Sequence, residues 1–146
     1  MLEFIENIGF HPEISADETV SLDYGQRVKA RQKVFLDSGS EAGLFLPHGR
    51  TLTEGDILRT AAGVKVRVAC KAEEVVTAQA SQGESLAQAC YHFGNRHAAV
   101  QIGQLWLRFL PDQVLETLAR RLGLAVFREK AVFTPENGAY HNHHQA

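Results

Sequence analysis

The chain has 146 residues, of which 45% are apolar and 22% are charged, and its formal net charge is −2. This composition is typical of a soluble globular protein and gives no electrostatic reason to expect binding to nucleic acid or to an anionic membrane. The two cysteines, Cys70 and Cys90, show no paired spacing, and no segment approaches the roughly 20 apolar residues that span a bilayer, so we expect a cytoplasmic protein.

The first half of the chain is predicted to form a small β-rich domain over residues 1–72. Short runs of apolar and β-branched residues alternate there with segments rich in glycine and other turn-forming residues. The runs that indicate strands are ETVSLDY, RQKVFLD, AGLFLP and VKVRVAC. Their number and spacing favour a sandwich or a half-open barrel.

The second half, residues 73–134, mixes strands and helices. The segment KAEEVVTAQA predicts a strand, and Ser81 with Glu84 matches a capping box at the start of a helix. Two short strands follow, AVQIG and LWLRFL, joined at Gly103, and Pro111 lies near the first turn of a second helix. A last strand, LAVFREKAVF, completes the order β-α-β-β-α-β. This order predicts a ferredoxin-like domain, and the whole chain is then an α+β protein.

Both predicted helices carry an apolar stripe at helical spacing. In the first helix the stripe consists of Leu86, Ala89, Cys90 and Phe93. In the second it consists of Val114, Leu115, Leu118 and Leu122, with Gly123 placed to end the helix.

The end of the first helix holds two histidines, His92 and His97, separated by Phe93-Gly94-Asn95-Arg96. If the helix continued that far, His97 would lie near the line of the apolar stripe, whereas His92 would point away from it. Gly94 and Asn95 are poor helix formers, so the last turn can unwind and displace His97. A single imidazole of this kind is compatible with a hydrogen-bonded core histidine or with a metal ligand that has partners elsewhere.

The remaining residues, 135–146, form a polar tail that carries His141, His143 and His144. Neutral imidazole suits nickel, copper and zinc, and short histidine-rich tracts are typical of metal binding. A disordered tail or the remnant of a purification tag is the alternative interpretation of the same residues.

Two other classes of function remain open on the residues alone. Asn95, Arg96 and His97 could serve a ferredoxin-like phosphoryl-group hydrolase, but the predicted strand-to-helix link AQASQGES has no arginine to hold an anion. The chain also contains no HExxH, Walker or GxSxG motif. A metal-independent adaptor protein is the second alternative.

Several motifs together resemble one known family. The sequence CYHFGNRH, the following VQIG, the later FTPENGAYHNHH and, in the first half, GLFLPHGRTLTEGDIL are similar to segments of the urease accessory protein E family, the nickel metallochaperones of urease maturation. The resemblance covers nearly the whole chain, and its most specific elements are GNRH and the PExGAY approach to the tail.

The resemblance implies a protein that is not an enzyme and that binds Ni²⁺ between two copies of itself. Its N-terminal domain would be of a partner- or peptide-binding type, and its ferredoxin-like C-terminal domain would dimerise. His97 of each subunit would be the ligand at the two-fold axis. The tail histidines His141, His143 and His144 would complete the coordination.

Further expectations follow from the same resemblance. Asn95 and Arg96 are candidates for hydrogen bonds that orient the ligand, and the alternative is that they serve only the turn at the helix end. Zn²⁺ or Cu²⁺ can substitute for Ni²⁺ in vitro. The expected partner is the urease accessory GTPase within the urease maturation complex. Some family members carry extra histidines after the second hairpin strand, but this chain has FLPDQ there, so we expect no peripheral metal site.

Overall fold

A computed structural model describes residues 1–137 of the chain. It divides into two compact units, Met1–Lys71 and a second unit that begins at Ala72. Within the described residues, no helix is long and apolar enough to cross a membrane.

The first unit is built on a six-stranded sheet. Its elements are β1 (Leu2–Phe10), β2 (Glu18–Leu22), a short helix α1 (Tyr24–Arg27), β3 (Arg31–Phe35), β4 (Glu41–Phe45), β5 (Asp56–Thr60) and β6 (Lys65–Cys70). The strand order is β2-β6-β5-β1-β4-β3. One cluster of buried side chains forms its core, including Phe4, Val20, Leu44, Leu58 and Val66.

The two edge strands of this sheet, β2 and β3, approach each other at Asp37. The Asp37 backbone N–H donates to the Thr19 carbonyl at 2.9 Å, and the Asp37 carboxylate accepts from the Thr19 hydroxyl at 2.6 Å. The same carboxylate accepts from the Ser21 backbone N–H at 3.2 Å. The unit is therefore barrel-like, which agrees with the predicted half-open barrel.

The four strand-forming runs predicted in this unit are present, but two further strands, β1 and β5, were not predicted. They are the central strands of the sheet. The register of β1 against β5 shifts between Phe4 and Glu6 and again between Asn7 and Gly9. Such bulges interrupt the alternation of buried and exposed residues by which a strand is recognised in a sequence.

The second unit has the predicted order β-α-β-β-α-β. Its elements are β7 (Ala72–Gln79), α2 (Gly83–Asn95), β8 (Gln101–Ile102), β9 (Trp106–Phe109), α3 (Gln113–Arg121) and β10 (Ala125–Val132). The sheet order is β10-β7-β9-β8, and each paired strand runs antiparallel to its neighbour. Strands β7 and β8 are therefore parallel and are separated by β9.

Both helices pack their apolar stripes into one core with the sheet. The predicted stripe of α2 is confirmed, because Leu86, Ala89, Cys90 and Phe93 all belong to this core. In α3 the core residues are Leu115, Leu118, Ala119 and Leu122. The prediction for Val114 was wrong, since its side chain is 63% exposed. Val114 lies about 100° around the helix from Leu115, on the solvent side.

The predicted capping box of the first helix was also wrong. The N-cap of α2 is Gln82 rather than Ser81, and its side chain makes no capping hydrogen bond. Because the helix starts one residue later, Glu84 lies at the second helical position and not at the third. In α3 the N-cap is Asp112, whose carboxylate accepts from the Leu115 N–H at 3.1 Å, and Pro111 lies just before the cap.

Candidate metal-binding site at the end of helix α2

The last turn of α2 closes in a Schellman motif. Asn95 is the last helical residue and Arg96 is the C-cap. The His97 N–H donates to the Gly94 carbonyl at 3.0 Å, and the Ala98 N–H donates to the Phe93 carbonyl at 3.2 Å. These two bonds satisfy carbonyls that the helix end leaves without a partner. Ala98 and Phe93 also belong to the same apolar core, which is the hydrophobic contact usual in this motif.

His97 occupies the position of this motif that glycine usually fills. Its φ is 54°, in the left-handed region, and its side chain is exposed. For a residue with a Cβ atom, this conformation costs about 1 kcal/mol or more. Because the helix ends at Asn95, His97 does not lie on the line of Leu86 and Phe93 that a longer helix would give. The weak helix formers Gly94 and Asn95 are still helical, and the helix ends directly after them.

Asn95 and Arg96 are both exposed. In the part of the chain that the structure describes, neither side chain donates a hydrogen bond to His97. Arg96 borders a groove against α3, beside Val114 and Arg121. The role predicted for Asn95 and Arg96 in orienting the ligand stays a prediction.

The other histidines of the described residues have separate surroundings. His92 is exposed on α2, with its ring edge-on to Tyr91 at 5.4 Å between centroids. His11 makes contacts with the Ile8 carbonyl at 2.8 Å and with Glu13 at 3.2 Å. His48 is exposed in the loop after β4. None of these three was predicted to be a ligand.

Over residues 1–137, no three histidine, cysteine, aspartate or glutamate side chains lie close enough together to hold a metal ion. The predicted ligands His141, His143 and His144 lie outside the described residues. His97 is therefore a single exposed imidazole, and any metal site that uses it needs donors from the tail or from another molecule.

The segment after β10 returns to the neighbourhood of the α2 end. The Thr134 N–H donates to the Gln101 side-chain oxygen at 3.1 Å, and the Glu136 N–H donates to the Val100 carbonyl at 2.7 Å. Val100 is three residues after His97. Burial raises the pKa of the Cys90 thiol, and the charge of Glu136 raises it further, so this segment also passes near α2. Cys90 itself is half-buried.

Comparison with known proteins assigns the family. The model of the UreE urease accessory protein N-terminal domain matches residues 1–71, and that of its C-terminal domain matches residues 73–146. The chain belongs to the UreE family. It is 45% identical to the urease accessory protein UreE of Psychromonas ingrahamii over 100% of this chain and 98% of the relative. The UreE of Alteromonas mediterranea is 46% identical over 91% and 89% of the two chains, and that of a Marinomonas species is 42% identical over 99% and 100%.

UreE proteins are accessory proteins and not enzymes, and this holds for the present chain. The resemblance inferred from the motifs is confirmed by these matches. A phosphoryl-group hydrolase is therefore excluded as the function of the chain.

The UreE-like motifs of the first unit have structural positions. The sequence Leu46-Pro47-His48-Gly49 lies in the loop after β4 and borders a groove of about 800 Å³ that is also lined by Lys29 and Arg50. Gly55 has a φ of 85°, which favours glycine at this turn. Asp56 is buried and accepts from the Asn7 side chain at 3.1 Å and from the Thr53 N–H at 3.0 Å.

Two features of the α2 end were not predicted. One is the left-handed backbone of His97, since nothing in the residue type histidine indicates it. The other is the attachment of Thr134 and Glu136 beside Val100, which joins residues more than 30 positions apart. The only sequence signal near the left-handed backbone of His97 is the pair Gly94-Asn95, which marks a helix end.

Proposed function

We propose that this UreE protein is a nickel metallochaperone that binds Ni²⁺ at a homodimer interface and delivers it for maturation of the urease active site. The ligands are His97 from each subunit together with His141, His143 and His144 of the tails. The single observation that carries the proposal is the exposed imidazole of His97, held in a left-handed conformation at the end of α2.

The conformation of His97 supports a functional role for its side chain. Glycine in this position would close the same motif without the conformational penalty. His97 is exposed, so its side chain adds nothing to the apolar core that would offset this penalty. A strained residue of this kind supports the hypothesis that its side chain has a function. Imidazole is the commonest metal ligand among protein side chains.

A second copy of the chain supplies the donor that one subunit lacks. In a two-fold symmetric dimer, a residue near the axis meets its own symmetry mate. Two His97 side chains then form a pair of nitrogen donors without any further ligand in the described residues. We propose that the second unit, as a ferredoxin-like domain, forms this dimer.

The course of residues 133–136 supports participation of the tail. The Glu136 N–H is hydrogen-bonded to the Val100 carbonyl. Val100 is three residues after His97, so the Cα atoms of Val100 and His97 lie within about 10 Å of each other. His141 follows five residues after Glu136, and a chain of that length reaches about 17 Å when extended. His97 of the same subunit is therefore within reach of the tail histidines.

This donor set suits capture followed by release. The His97 pair is positioned by the fold, whereas the tail donors can be displaced by an incoming set of ligands. Ni²⁺ accepts nitrogen and oxygen donors in planar or octahedral arrangements, so water can fill the remaining positions. Zn²⁺ and Cu²⁺ can use the same imidazoles in vitro, so selectivity for nickel arises from metal supply and from partners. Binding weakens on acidification because protonated imidazole does not bind metal.

The partner proposed for delivery is the urease accessory GTPase within the urease maturation complex, in the cytoplasm. The barrel-like first unit is the proposed docking domain. The names of the relatives support the link to urease. Nucleic acid and membranes are not expected partners, because the chain carries a net charge of only −2.

The first test is nickel calorimetry on the wild-type protein and on His97→Ala, with the mass of each protein in solution measured by light scattering. We expect the tightest event to take about one ion per two chains, as one shared site in a two-fold dimer requires. It should disappear in His97→Ala while the dimer persists. His92→Ala is the matched control, since it removes an exposed imidazole of α2 that lies five residues before His97.

Two outcomes would contradict the proposal. If His97→Ala binds nickel as the wild type does, His97 is a structural residue and any metal site lies in the tail alone. If the variant that lacks His97 and all three tail histidines still supports urease maturation, the protein is a metal-independent adaptor.

The orienting role proposed for Asn95 has its own test. Nickel affinity that is unchanged in Asn95→Ala would count against it.

A further inference from the structure

We propose that a basic groove along α3 binds an acidic segment of a partner protein. The groove has a volume of about 430 Å³ and is lined by Arg96, Gln113, Val114, Thr117, Leu118, Arg120 and Arg121. Arg96 directly precedes His97, so a segment bound there lies beside the helix end that presents the imidazole. The inference goes beyond the docking role of the first unit, because it places a second contact in the unit that carries His97.

The positive charges of the groove have no acidic partner within the protein. The second unit has five arginines, of which Arg108 and Arg128 form ion pairs with glutamates. The other three, Arg96, Arg120 and Arg121, all line the groove. Among the described residues these three form no ion pair, and no aspartate or glutamate lines the groove. The groove is therefore positive although the whole chain has a net charge of −2.

The same groove contains exposed apolar surface. Val114 is 63% exposed, and Leu118 is half-buried at the border of the core. Val114, Thr117 and Arg121 are three and four residues apart, so they lie on one face of α3. The face extends over about 10 Å from Val114 to Arg121, which an extended segment of three or four residues spans. Arginine beside apolar side chains is typical of protein–protein contacts.

The positions of the arginines at helix ends suggest a second role for their charges. Arg120 and Arg121 lie in the last turn of α3, and Arg96 is the C-cap of α2. A positive charge at the C-terminal end of a helix is stabilising. That role does not account for the exposed Val114 in the same groove. The two roles are separable, because stabilisation of a helix end changes the unfolding equilibrium, whereas docking changes the affinity for a partner.

The charge of the groove selects its occupant. Two copies of the chain that met groove to groove would bring three arginines from each copy together without a carboxylate between them, and like charges repel. Residues 138–146 contain no aspartate or glutamate, so the tail does not supply the acids. Guanidinium groups bind carboxylates through two parallel hydrogen bonds. A partner segment with several carboxylates and one apolar side chain therefore fits both the arginines and Val114.

The test is fluorescence polarisation with a labelled peptide of aspartate and glutamate residues that contains one leucine. The same peptide with asparagine and glutamine in place of the acids is the control ligand. We expect the wild-type protein to bind the acidic peptide, with a Kd that rises as salt is added, and not to bind the neutral one. Failure of the acidic peptide to bind would make the inference wrong.

Arg120→Gln combined with Arg121→Gln removes two of the charges and leaves Arg96 in place. Exposed ion pairs each contribute little, so we expect the peptide to bind about three- to tenfold more weakly. Lys29→Gln combined with Lys33→Gln is the matched control, since it makes the same change in net charge on the surface of the first unit. This control should bind the peptide as the wild type does.

NMR of the wild-type protein locates the bound peptide. The amide signals of Val114, Thr117 and Arg121 should shift on titration with the peptide. Val114→Ser should weaken binding without any change in charge. Shifts confined to other parts of the chain would place the peptide elsewhere, and the inference would then be wrong.

Three further outcomes would overturn the inference. If both double variants lose affinity equally, the peptide responds to net charge and not to the groove. If light scattering shows that Arg120→Gln with Arg121→Gln no longer forms the wild-type assembly, the groove is a contact between copies. If ATP, used as a second probe, binds the wild type more tightly than the peptide and loses affinity in the same variant, the groove holds a phosphate-bearing ligand.

These measurements separate the inference from the proposed function. His97→Ala should bind the peptide as the wild type does, and Arg120→Gln with Arg121→Gln should bind nickel as the wild type does. Loss of nickel binding in His97→Ala, with no binding of the peptide to the wild type, rejects the groove and keeps the metal site. Unchanged nickel binding in His97→Ala, with peptide binding weakened only by the arginine substitutions, rejects the metal site and keeps the groove.

Discussion

The two helices of the second unit end in the same motif, but with different residues at the same position. At the end of α3, Gly123 has a φ of 87°. The Gly123 N–H donates to the Arg120 carbonyl, and the Leu124 N–H donates to the Ala119 carbonyl. At the end of α2, His97 occupies the equivalent place with a φ of 54°. The hydrogen bonds are the same in both, so the fold requires only that this position be left-handed.

The N-terminal ends of the two helices also differ, because only α3 has a capping hydrogen bond from a side chain. Helix α3 has a side-chain cap from Asp112, and its buried Glu116 forms an ion pair with Arg128 of β10 at 2.9 Å. Helix α2 has Gln82 as its N-cap, with no capping hydrogen bond from the side chain. Helix α3 therefore satisfies its local requirements at both ends. Helix α2 instead carries the left-handed penalty at its C-terminal end and lacks a side-chain cap at its N-terminal end.

The largest expected effect is that of His97→Gly. This change keeps the motif but removes the imidazole, so we expect the tightest nickel-binding event in calorimetry to be lost. The free energy of unfolding, measured with urea, should stay unchanged or rise by up to about 1 kcal/mol. Glycine removes the left-handed penalty, although its greater freedom in the unfolded chain offsets part of the gain.

His97→Ala is the control for this comparison, because alanine retains the Cβ atom and therefore the backbone penalty. It should lose nickel binding to the same extent without the gain in stability. A clear loss of stability in His97→Gly would show that the imidazole holds the loop in place, and the contrast between the two helix ends would then be wrong.

The next effect concerns the other helix end. Gly123→Ala should lower the free energy of unfolding by about 1 kcal/mol, because alanine must then adopt a left-handed conformation. A Cβ atom at Gly123 meets no other atom within 4 Å, so the loss reports the backbone alone. Nickel affinity should not change. A loss well below that value would mean that His97 is also held at little conformational cost.

The order of elements in the second unit could be predicted, whereas the left-handed backbone of His97 could not. Apolar periodicity and Gly123 are local signals, and they located α3 and its end correctly. The conformation of His97 depends on hydrogen bonds from His97 and Ala98 to the preceding turn. Histidine itself carries no such signal, in contrast to glycine. Gly94 and Asn95 indicated only that the helix would end.

Long-range contacts explain the other differences between sequence and structure. The central strands β1 and β5 were not predicted, because bulges break the alternation in β1 and four of the five residues of β5 are buried. The hydrogen bond from the Thr134 N–H to the Gln101 side chain joins residues 33 positions apart, which no local pattern indicates. The capping box at Ser81 matched a motif, but the helix begins after Gln82. Ends of elements depend on tertiary packing more than their interiors do.

A smaller effect is expected at the N-terminal end of α2. Gln82 already has the extended backbone of an N-cap, with φ −141° and ψ 152°. Gln82→Asp supplies the missing acceptor, so it should raise the free energy of unfolding by about 0.5–1 kcal/mol, measured with urea. Asp112→Ala, at the corresponding position of α3, is the control and should lower it by about 1 kcal/mol. If Gln82→Asp gives no gain, the start of α2 is already satisfied by water.

The smallest effect is a pH dependence of stability that arises in the sheet of the second unit, between Thr77 of β7 and Glu129 of β10. The hydrogen bond donated by the Thr77 hydroxyl, at 2.5 Å, is the main cause that lowers the pKa of Glu129 below its ordinary value of 4.5. Desolvation opposes this shift, and Arg108 adds to it. A lowered pKa in the folded state means that the contribution of Glu129 is fully present above the ordinary value. It is lost as the pH falls through the folded pKa.

Urea midpoints measured from pH 7 down to pH 3.5 should therefore decline below about pH 4.5, and the decline should be shallower in Thr77→Val, where the pKa of Glu129 moves back toward its ordinary value. The difference in urea midpoint between the wild type and Gly123→Ala should be the same at each pH. No titratable group takes part in the backbone penalty at that helix end. A difference that grew on acidification would mean that the α3 end is coupled to the charges of the sheet. The penalty at Gly123 would then be no measure of the one that His97 bears.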